Sequence, residues 1–386
     1  MKTNIMNDSK SFYISISRGT KLHLNLVSTK IFVYINLFMQ KFLLIPVFGF
    51  LLCFSGVYGE DFSKGPLFGK NLYIPFLIHY NFPSLPAKSG ERFDLQYHLS
   101  LYYTEDSRFR ADLLPKKAEA RSYNKSYVVS DYESFTAEMG ISYNFLNEVQ
   151  AGIDIRLFSF SGGFLDPFME NFHDLFGFDD GARDLFLQNQ IHINIPNAKG
   201  DPLFLDKSAV SFGDIDLWCK WTFLENKAVS LAALGAFKLP TGKFESLSGS
   251  GYPDAAAGLL LDFRAARFLS LYTQAGIVLP FTGKYYPMFN GLLGVEIHPW
   301  EMLSFNLQMN IKTSPISDST IPFGWNYAWH TNFSQFSLPQ TNVLIGIVMQ
   351  LRSLKLQIYF EEDAIFNQGN DFILGIMASR TIKLKK

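Results

Sequence analysis

The segment KLPTGKFESLSGSGYPD, at 238–254, has the lysine and the glycines that a phosphate-binding loop would need. A P-loop has the spacing G-x-x-x-x-G-K-[ST], in which backbone N–H groups surround the phosphates and the hydroxyl reaches Mg²⁺. Here six residues separate Gly235 from Gly242, and Phe244 follows Lys243. The spacing excludes a nucleotide-binding loop, so the segment is predicted to be a strand end followed by a turn.

Nearly the same pattern recurs one hairpin later. LPTGKF at 239–244 is followed by LPFTGKY at 279–285. Proline has no N–H to donate to a sheet, and glycine permits a tight turn. Both copies are therefore predicted to lie at the same outer rim of a β-structure, with the Ser-Gly run at 248–251 as the flexible part.

The segment AWHTNFSQF, at 328–336, contains a histidine and a serine, His330 and Ser334. A Ser–His pair with an orienting polar group can attack an ester. The pair is predicted to lie in a long loop rather than on adjacent strands, so its geometry would not be fixed. We therefore predict a protein that is not an enzyme, with a lipid hydrolase as the least favoured hypothesis.

A second polar segment, FHDLFGFDDGARD at 172–184, is rich in carboxylates. Ca²⁺ prefers oxygen ligands, but the spacing here is not that of an EF-hand loop. The two cysteines, Cys53 and Cys219, are too few for a disulfide framework or a cysteine-based metal site. The segment is predicted to be a solvated loop, and no metal or cofactor is expected. Its polar residues are His173, Asp174, Asp179, Asp180 and Asp184.

Charged residues recur on one side of the segments that alternate between polar and apolar residues. Their signs are mixed, which leaves two interpretations open. They could form a cross-linked network inside a lumen, or they could line it and tune its selectivity. These candidate lumen-lining residues are Glu138, Asp154, Arg156, Asp214, Asp216, Lys220, Asp262, Arg264, Glu296, Lys312, Lys355 and Glu361.

The composition bears on which partners the chain can have. Its 386 residues carry a net charge of −1. A nearly neutral chain lacks the excess of positive charge that is typical of nucleic-acid-binding proteins, so nucleic acid is not a predicted partner. With 39 Phe and 18 Tyr, the chain is unusually aromatic, as membrane barrels are in their lipid-facing bands and interfacial girdles. The predicted partners are outer-membrane lipid and a small-molecule solute. The composition says nothing about the oligomeric state.

The stretch MQKFLLIPVFGFLLCFSGVYGED, which begins at Met39, is typical of an export signal. Lys41 supplies a basic start, 42–54 is an apolar run too short to span a bilayer as a helix, and small residues precede Glu60. We predict a signal peptide at 39–59 and a misassigned start at 1–38. The segment 60–90 would then be periplasmic or plug-like, and 91–386 would be a barrel in the outer membrane of a diderm bacterium.

Beyond residue 60 the dominant pattern is alternation with a period of two. In LSFNLQMNIK, at 303–312, apolar residues at odd positions alternate with polar ones at even positions. Such segments, longer than ordinary strands, predict an all-β antiparallel transmembrane barrel. An alternative has fourteen strands, in which 72–80 and 185–196 also span. The twelve predicted strands are 91–104, 133–145, 149–160, 208–224, 228–239, 255–264, 268–281, 288–297, 302–313, 341–352, 354–363 and 371–382.

The connections between these strands alternate in length. Very short turns follow every second strand, and long ones lie between them, as in barrels with short periplasmic turns and long external loops. Counting 185–196 as a spanning strand would break this alternation, so that segment is assigned to a large external loop, as a strand extension or hairpin. The long connections are 105–132, 161–207, 240–254 and 314–340.

Several motifs occur in an order that resembles a known family. They are GPLFGKNLYIPFLIHYNFPSLPAKSGE at 65–91, FHDLFGFDDGARD at 172–184, FGDIDLWCKW at 212–221, FKLPTGKF at 237–244 and GSGYPDAAAGL at 249–259. The chain resembles the bacterial domain of unknown function 3187 family, whose members are expected to be outer-membrane barrels. It is more weakly similar to the barrel family of meta-pathway phenol degradation. The resemblance implies fold and location, and it implies no catalytic residues.

Three hypotheses about function follow from this reading. The first is a passive channel or uptake protein for small molecules. The second is a closed barrel whose long loops have a structural or adhesive role at the cell surface. The third is the lipid hydrolase.

Overall fold

A computed structural model shows an all-β chain that separates into two units, 1–57 and 58–386. In the first unit, β1 (Phe12–Ser15) and β2 (Lys21–Leu24) pair antiparallel. The predicted signal peptide at 39–59 lies outside the described residues, so it stays a prediction. The residues that the structure describes are 12–15, 21–24, 63–69, 80–108, 129–168, 171, 175, 189–195, 203–205, 207–282, 285–315, 339–363 and 372–384.

The second unit is built on a closed barrel of twelve antiparallel strands. Each strand pairs with its neighbour along the chain, and the last pairs with the first from Asp94 opposite Lys383 to Glu105 opposite Phe372. Closure leaves no free sheet edge. The barrel strands are β3 (Asp94–Arg108), β4 (Val129–Asn144), β5 (Val149–Ser161), β8 (Ala209–Glu225), β9 (Val229–Leu239), β10 (Asp254–Ala266), β11 (Leu269–Pro280), β12 (Met288–Trp300), β13 (Leu303–Lys312), β14 (Gln340–Leu351), β15 (Leu354–Asp363) and β16 (Phe372–Lys383).

These bounds confirm the predicted antiparallel barrel, and each lies within four residues of its predicted position. Two short strands, β6 (His192–Ile195) and β7 (Leu203–Leu205), form a hairpin that extends the sheet beside the first residues of β4. The described part of 185–196 is therefore a strand extension and does not add to the twelve. Residues 72–79 lie outside the described part of the chain. A 3₁₀ helix, Phe244–Ser246, follows β9.

Along each barrel strand the side chains alternate between a buried inner face and an exposed outer face. On β13, Ser304, Asn306 and Gln308 are buried inside, whereas Phe305 and Leu307 are exposed outside. This is the inverse of a soluble barrel, because the polar residues are inside and the apolar ones outside. No helix among the described residues is long and apolar enough to cross a membrane.

The outer face also carries aromatic side chains at both ends of the barrel. The end of the barrel with the very short turns is called the short-turn end, and the end with the long connections is called the long-loop end. One group of exposed aromatic rings lies where the strands reach the short turns, and a second group lies near the long connections. Aromatic girdles of this kind mark the two interfaces of a membrane. The first group includes Phe145, Trp221, Phe223, Phe268 and Trp300, and the second includes Phe212, Phe237, Phe281 and Phe289.

One inner ring depends on glycines of both neighbouring strands. Tyr359 of β15 lies opposite Gly346 of β14 and Gly375 of β16, and it is 1% exposed. A Cβ added at Gly375 would lie 2.1 Å from the Tyr359 ring, and one at Gly346 would lie 2.6 Å from the Tyr359 Cβ. The absence of side chains at both positions makes room for the ring to lie flat against the wall.

Replacing Gly375 by valine is therefore expected to destabilise the barrel by about 1–3 kcal/mol, the usual cost of overpacking. The measurement is the free energy of unfolding of the refolded barrel in lipid vesicles, from a guanidinium titration followed by tryptophan fluorescence. Gly235→Val is the matched control, because a Cβ there meets nothing within 4 Å. Equal losses in the two variants would contradict this packing argument.

Candidate functional site

A stretch that is not part of any strand occupies the barrel interior. We call its described part, residues 63–69 and 80–89, the interior segment. Its backbone N–H groups donate to inward side chains of four strands, at Lys64 to Glu296 (2.9 Å), Leu67 to Gln308 (3.1 Å), Phe68 to Gln357 (2.7 Å) and Tyr80 to Asp254 (2.8 Å). Since these acceptors belong to β12, β13, β15 and β10, the segment is bound on several sides of the wall.

The wall also donates hydrogen bonds to carbonyl groups of the interior segment. Lys220 Nζ donates to the carbonyl oxygens of Pro86 (2.8 Å) and Lys88 (2.9 Å). Thr222 Oγ1 donates to Ala87 (2.7 Å), and Tyr359 Oη donates to Phe68 (3.1 Å). Irregular backbone inside a barrel needs such partners, because an unsatisfied buried peptide group is costly.

Three apolar patches on the inner wall are covered by this segment. Burial of such patches is favourable by about 25 cal/mol per Å² of apolar surface. Each patch contacts its own residues of the segment, except that Phe82 contacts two of the patches. Leu67 packs with Tyr102, Leu344, Val348, Tyr359 and Ile373; Ala87, Phe82 and Leu85 pack with Trp218, Ala232, Leu234 and Leu260; and Tyr80 and Phe82 pack with Ala256, Val278 and Met288.

A cavity of about 250 Å³ lies beside the interior segment. Its lining includes Asn226 and Lys227 of a short turn, so it reaches the short-turn end of the barrel. It also includes Phe68, His98 and Trp218, which are deeper in the interior. The cavity therefore joins the short-turn end to the middle of the barrel.

A buried ion pair lies near the long-loop end, beside the loop that follows β9. Lys238 Nζ lies 2.5 Å from Asp214 and 3.6 Å from Asp254, and it donates to the Tyr252 carbonyl at 2.8 Å. Asp214 also accepts the Gly242 N–H at 2.8 Å, which draws the loop inward. All three charged side chains are fully buried.

The Ser-Gly run of this loop, at 248–251, is buried, since Ser248 is 0% and Ser250 is 1% exposed. Ser248 Oγ accepts the Lys243 N–H at 2.9 Å, and Ser250 Oγ accepts from Lys238. The Ser250 hydroxyl therefore binds the run to the ion pair, whereas the flexibility predicted for it stays a prediction. The glycines permit close approach, because a Cβ on Gly249 would lie 2.6 Å from Asp214.

A second group of charges lies across β3, β4, β5 and β8. Arg156 hydrogen-bonds to Asp216, and its Nε lies 3.7 Å from Glu138. His98 Nε2 lies 3.5 Å from Glu138 and 3.7 Å from Asp154. These side chains form a connected polar layer in the middle of the barrel.

The twelve candidate lumen-lining residues are all buried or half-buried, and they fall into several groups. Lys220, Asp262, Glu296 and Lys355 hydrogen-bond to the interior segment. Glu138, Asp154, Arg156 and Asp216 belong to the middle layer, and Asp214 to the long-loop end. Glu361 accepts from Asn342 at 2.9 Å, Lys312 is buried, and Arg264 lines the cavity. A role in selectivity stays a prediction.

Two central residues were missed by sequence reasoning. Lys238 was assigned to a strand end, and His98 fell within the predicted strand 91–104, without a role for either. The alternation along β9 could have identified Lys238 as an inward residue, because it lies an even number of positions from Ser230 and Leu234, which are also buried on the inner face. Other predictions lie outside the described residues, namely those on His330 and Ser334 and nearly all of 172–184.

The fold and its interior together define a class of protein: a closed twelve-stranded barrel, apolar outside and polar inside, with a non-strand segment within it. The family described as Protein of unknown function (DUF3187) matches residues 116–373, and the chain belongs to that family. The resemblance indicated by the motifs is thereby confirmed.

Solved structures with a similar barrel share little sequence with this chain. An outer membrane channel from Pseudomonas putida F1 is 11% identical, covering 76% of this chain and 97% of that one, with a TM-score of 0.48. The Pseudomonas putida toluene transporter TodX is 10% identical, covering 84% and 98%, with a TM-score of 0.37. The NanC porin is 6% identical, covering 75% and 100%, with a TM-score of 0.39. No curated protein matches the chain.

Proposed function

We propose that this protein is an outer-membrane channel for small, predominantly apolar solutes, closed at rest by the interior segment. The observation that carries the proposal is the set of three apolar wall patches beneath that segment. A barrel that enclosed only a water-filled channel would not need apolar patches on its inner wall. If the segment moves aside, the patches become a path on which an apolar molecule can bind.

The outer face supports placement in a membrane. Large apolar side chains such as Met139 (57% exposed) and Ile345 (60% exposed) point outward, between two aromatic girdles. The short turns would lie on the periplasmic side, as in other barrels of this class. The cavity would then be entered from the periplasm.

The way the interior segment is attached supports a role as a gate. Its described residues take no part in the sheet, and they bind to the wall through hydrogen bonds to side chains and through the three apolar patches. Detaching it would leave every strand pairing of the barrel intact. A segment held in this way can move without unfolding the wall that surrounds it.

The test compares the full chain with a chain lacking 63–89 in an intact outer membrane, because apolar solutes cross plain phospholipid bilayers unaided. Diderm cells producing each protein would be supplied with the apolar fluorophore N-phenylnaphthylamine, and its rate of entry would be measured. We expect the deletion to raise the rate by more than about tenfold over the full chain, because it removes every attachment of the segment at once. Single-channel conductance in planar bilayers would report the same opening to ions.

A chain lacking 109–128, in the connection between β3 and β4, is the control and should behave as the full chain. Heat-dependent gel mobility would verify that each barrel is closed. Folded barrels with neither conductance nor dye entry, with or without 63–89, would contradict the channel. They would favour the alternative of a closed barrel whose long surface loops carry the function, which the buried ion pair of Lys238 also suits. Neither proposal assigns a catalytic residue.

A further inference from the structure

Three potential metal ligands converge in the middle layer of the barrel. His98 Nε2 and one oxygen each of Glu138 and Asp154 lie within 4.8 Å of one another. The glutamate and the aspartate are buried, and the histidine side chain is 12% exposed. Among the described residues, His98 Nε2 is shielded from solvent and has no hydrogen-bond partner, although it faces the two carboxylate oxygens.

Sheet register explains why the three groups meet. His98 of β3 and Asp154 of β5 both lie opposite Gly140 of β4, and Glu138 is the previous inward residue of that same strand. A Cβ on Gly140 would lie 2.3 Å from Asp154 Oδ1 and 2.7 Å from His98 Nε2. The glycine thus leaves open the space between the imidazole and the carboxylate.

Neighbouring groups hold this arrangement in place. Trp218 Nε1 donates to Asp154 Oδ2 at 3.2 Å, which fixes the carboxylate with its other oxygen toward His98. Phe68 of the interior segment packs against the His98 ring, with centroids 4.7 Å apart and the ring planes tilted by 60°. Partners of this kind orient the ligands of protein metal sites.

The surroundings of these ligands are rich in buried carboxylates. Among the described residues, the cationic side chains of Arg156, Lys238 and Lys312 interact with five carboxylates in this part of the interior. Buried carboxylates are stable only beside groups that neutralise their charge, and a metal cation is one such group. The five carboxylates are those of Glu138, Asp154, Asp214, Asp216 and Asp254.

We propose that His98, Glu138 and Asp154 bind a first-row transition-metal dication such as Zn²⁺. Two ligand atoms about 2.1 Å from a tetrahedral zinc lie about 3.4 Å apart, close to the 3.5 Å and 3.7 Å between His98 Nε2 and the carboxylate oxygens. One imidazole and two carboxylates suit zinc and its neighbours better than Mg²⁺ or Ca²⁺, which prefer oxygen alone. The fourth position is left to a water or solute, and His98 lines the cavity through which the ion would enter.

The test is zinc binding to the full chain, refolded in detergent and stripped with a chelator, by calorimetric titration and metal analysis. We expect one Zn²⁺ per chain, and loss of that binding in His98→Ala. The matched control is His298→Ala, since His298 is a buried inward histidine that is bonded to Ser270 rather than to these carboxylates. Trp218→Phe should weaken binding by about 10–100-fold, the usual effect of removing a partner of a ligand.

Asp154→Asn keeps the shape of the layer and provides a second test should His98→Ala fail to fold, which heat-dependent gel mobility would reveal. It should bind zinc far more weakly than the unaltered chain. No stoichiometric zinc in the folded chain would overturn the proposal, as would equal affinities in His98→Ala and His298→Ala. Ca²⁺ binding as tightly as Zn²⁺ would also overturn it. None of these outcomes depends on whether the barrel conducts.

Discussion

Replacing Glu296 by alanine is expected to detach the first part of the interior segment and to raise solute entry about tenfold. The carboxylate accepts the N–H groups of Lys64 (2.9 Å) and Gly65 (3.3 Å) and the hydroxyl of Ser63 (3.1 Å). A hydrogen bond to a charged group contributes about 1.5–3 kcal/mol. Loss of even one such bond shifts the balance between attached and detached segment about tenfold.

Two measurements would report this change together. Hydrogen–deuterium exchange of peptides from 63–69 should become faster, and N-phenylnaphthylamine entry into cells should rise. Glu301→Ala is the control, because Glu301 is an exposed glutamate in the turn of the same β12–β13 hairpin. Faster exchange without faster entry would mean that the segment moves but is not the gate. Unchanged exchange would mean that Glu296 is not its anchor.

Removing the charge of Lys238 is expected to produce the largest loss of stability of any substitution considered for this barrel. Lys238→Ala leaves Asp214 and Asp254 buried without their ammonium partner, which costs about 3–5 kcal/mol. It also removes the donor to the Tyr252 carbonyl, so the loop after β9 loses an attachment. The measurement is the free energy of unfolding in lipid vesicles by guanidinium titration.

Lys227→Ala, in an exposed short turn, should stay within about 0.5 kcal/mol of the unaltered chain. Adding Asp214→Asn to Lys238→Ala should recover part of the loss, because one uncompensated charge disappears. A Lys238→Ala barrel as stable as the Lys227→Ala barrel would contradict the stabilising role assigned to the ion pair.

The barrel wall could be predicted from the sequence because its cause is local. On β13 the alternation of Leu303, Phe305 and Leu307 with polar residues assigns each side chain to a face of the sheet. A period of two indicates a β-strand, because successive side chains of a strand point to opposite faces. Short turns then determine which strands are neighbours. The same parity places Glu138 and Asp154 inside, and would have placed Lys238 and His98 there as well.

The contents of the barrel could not be predicted in this way. Lys64 lies 232 residues from the glutamate that binds it, and the interior segment has no periodic pattern of its own. Its place depends on backbone groups that bind side chains from strands distant in sequence. No spacing rule connects such partners.

The sequence by itself determined the strands, the inner and outer faces and the family, because each is expressed in residues close together along the chain. Only the tertiary structure decided which inward charges meet. His98, Gly140 and Asp154 are adjacent because three strands pair in one register, and the Ser-Gly run after β9 is buried because Asp214 lies across from it. KLPTGKFESLSGSGYPD thus begins with a lysine that is buried beside two carboxylates of neighbouring strands. Closure of the barrel brings residues that are distant in sequence within bonding distance. A pattern along the chain carries no information about which of these residues will meet.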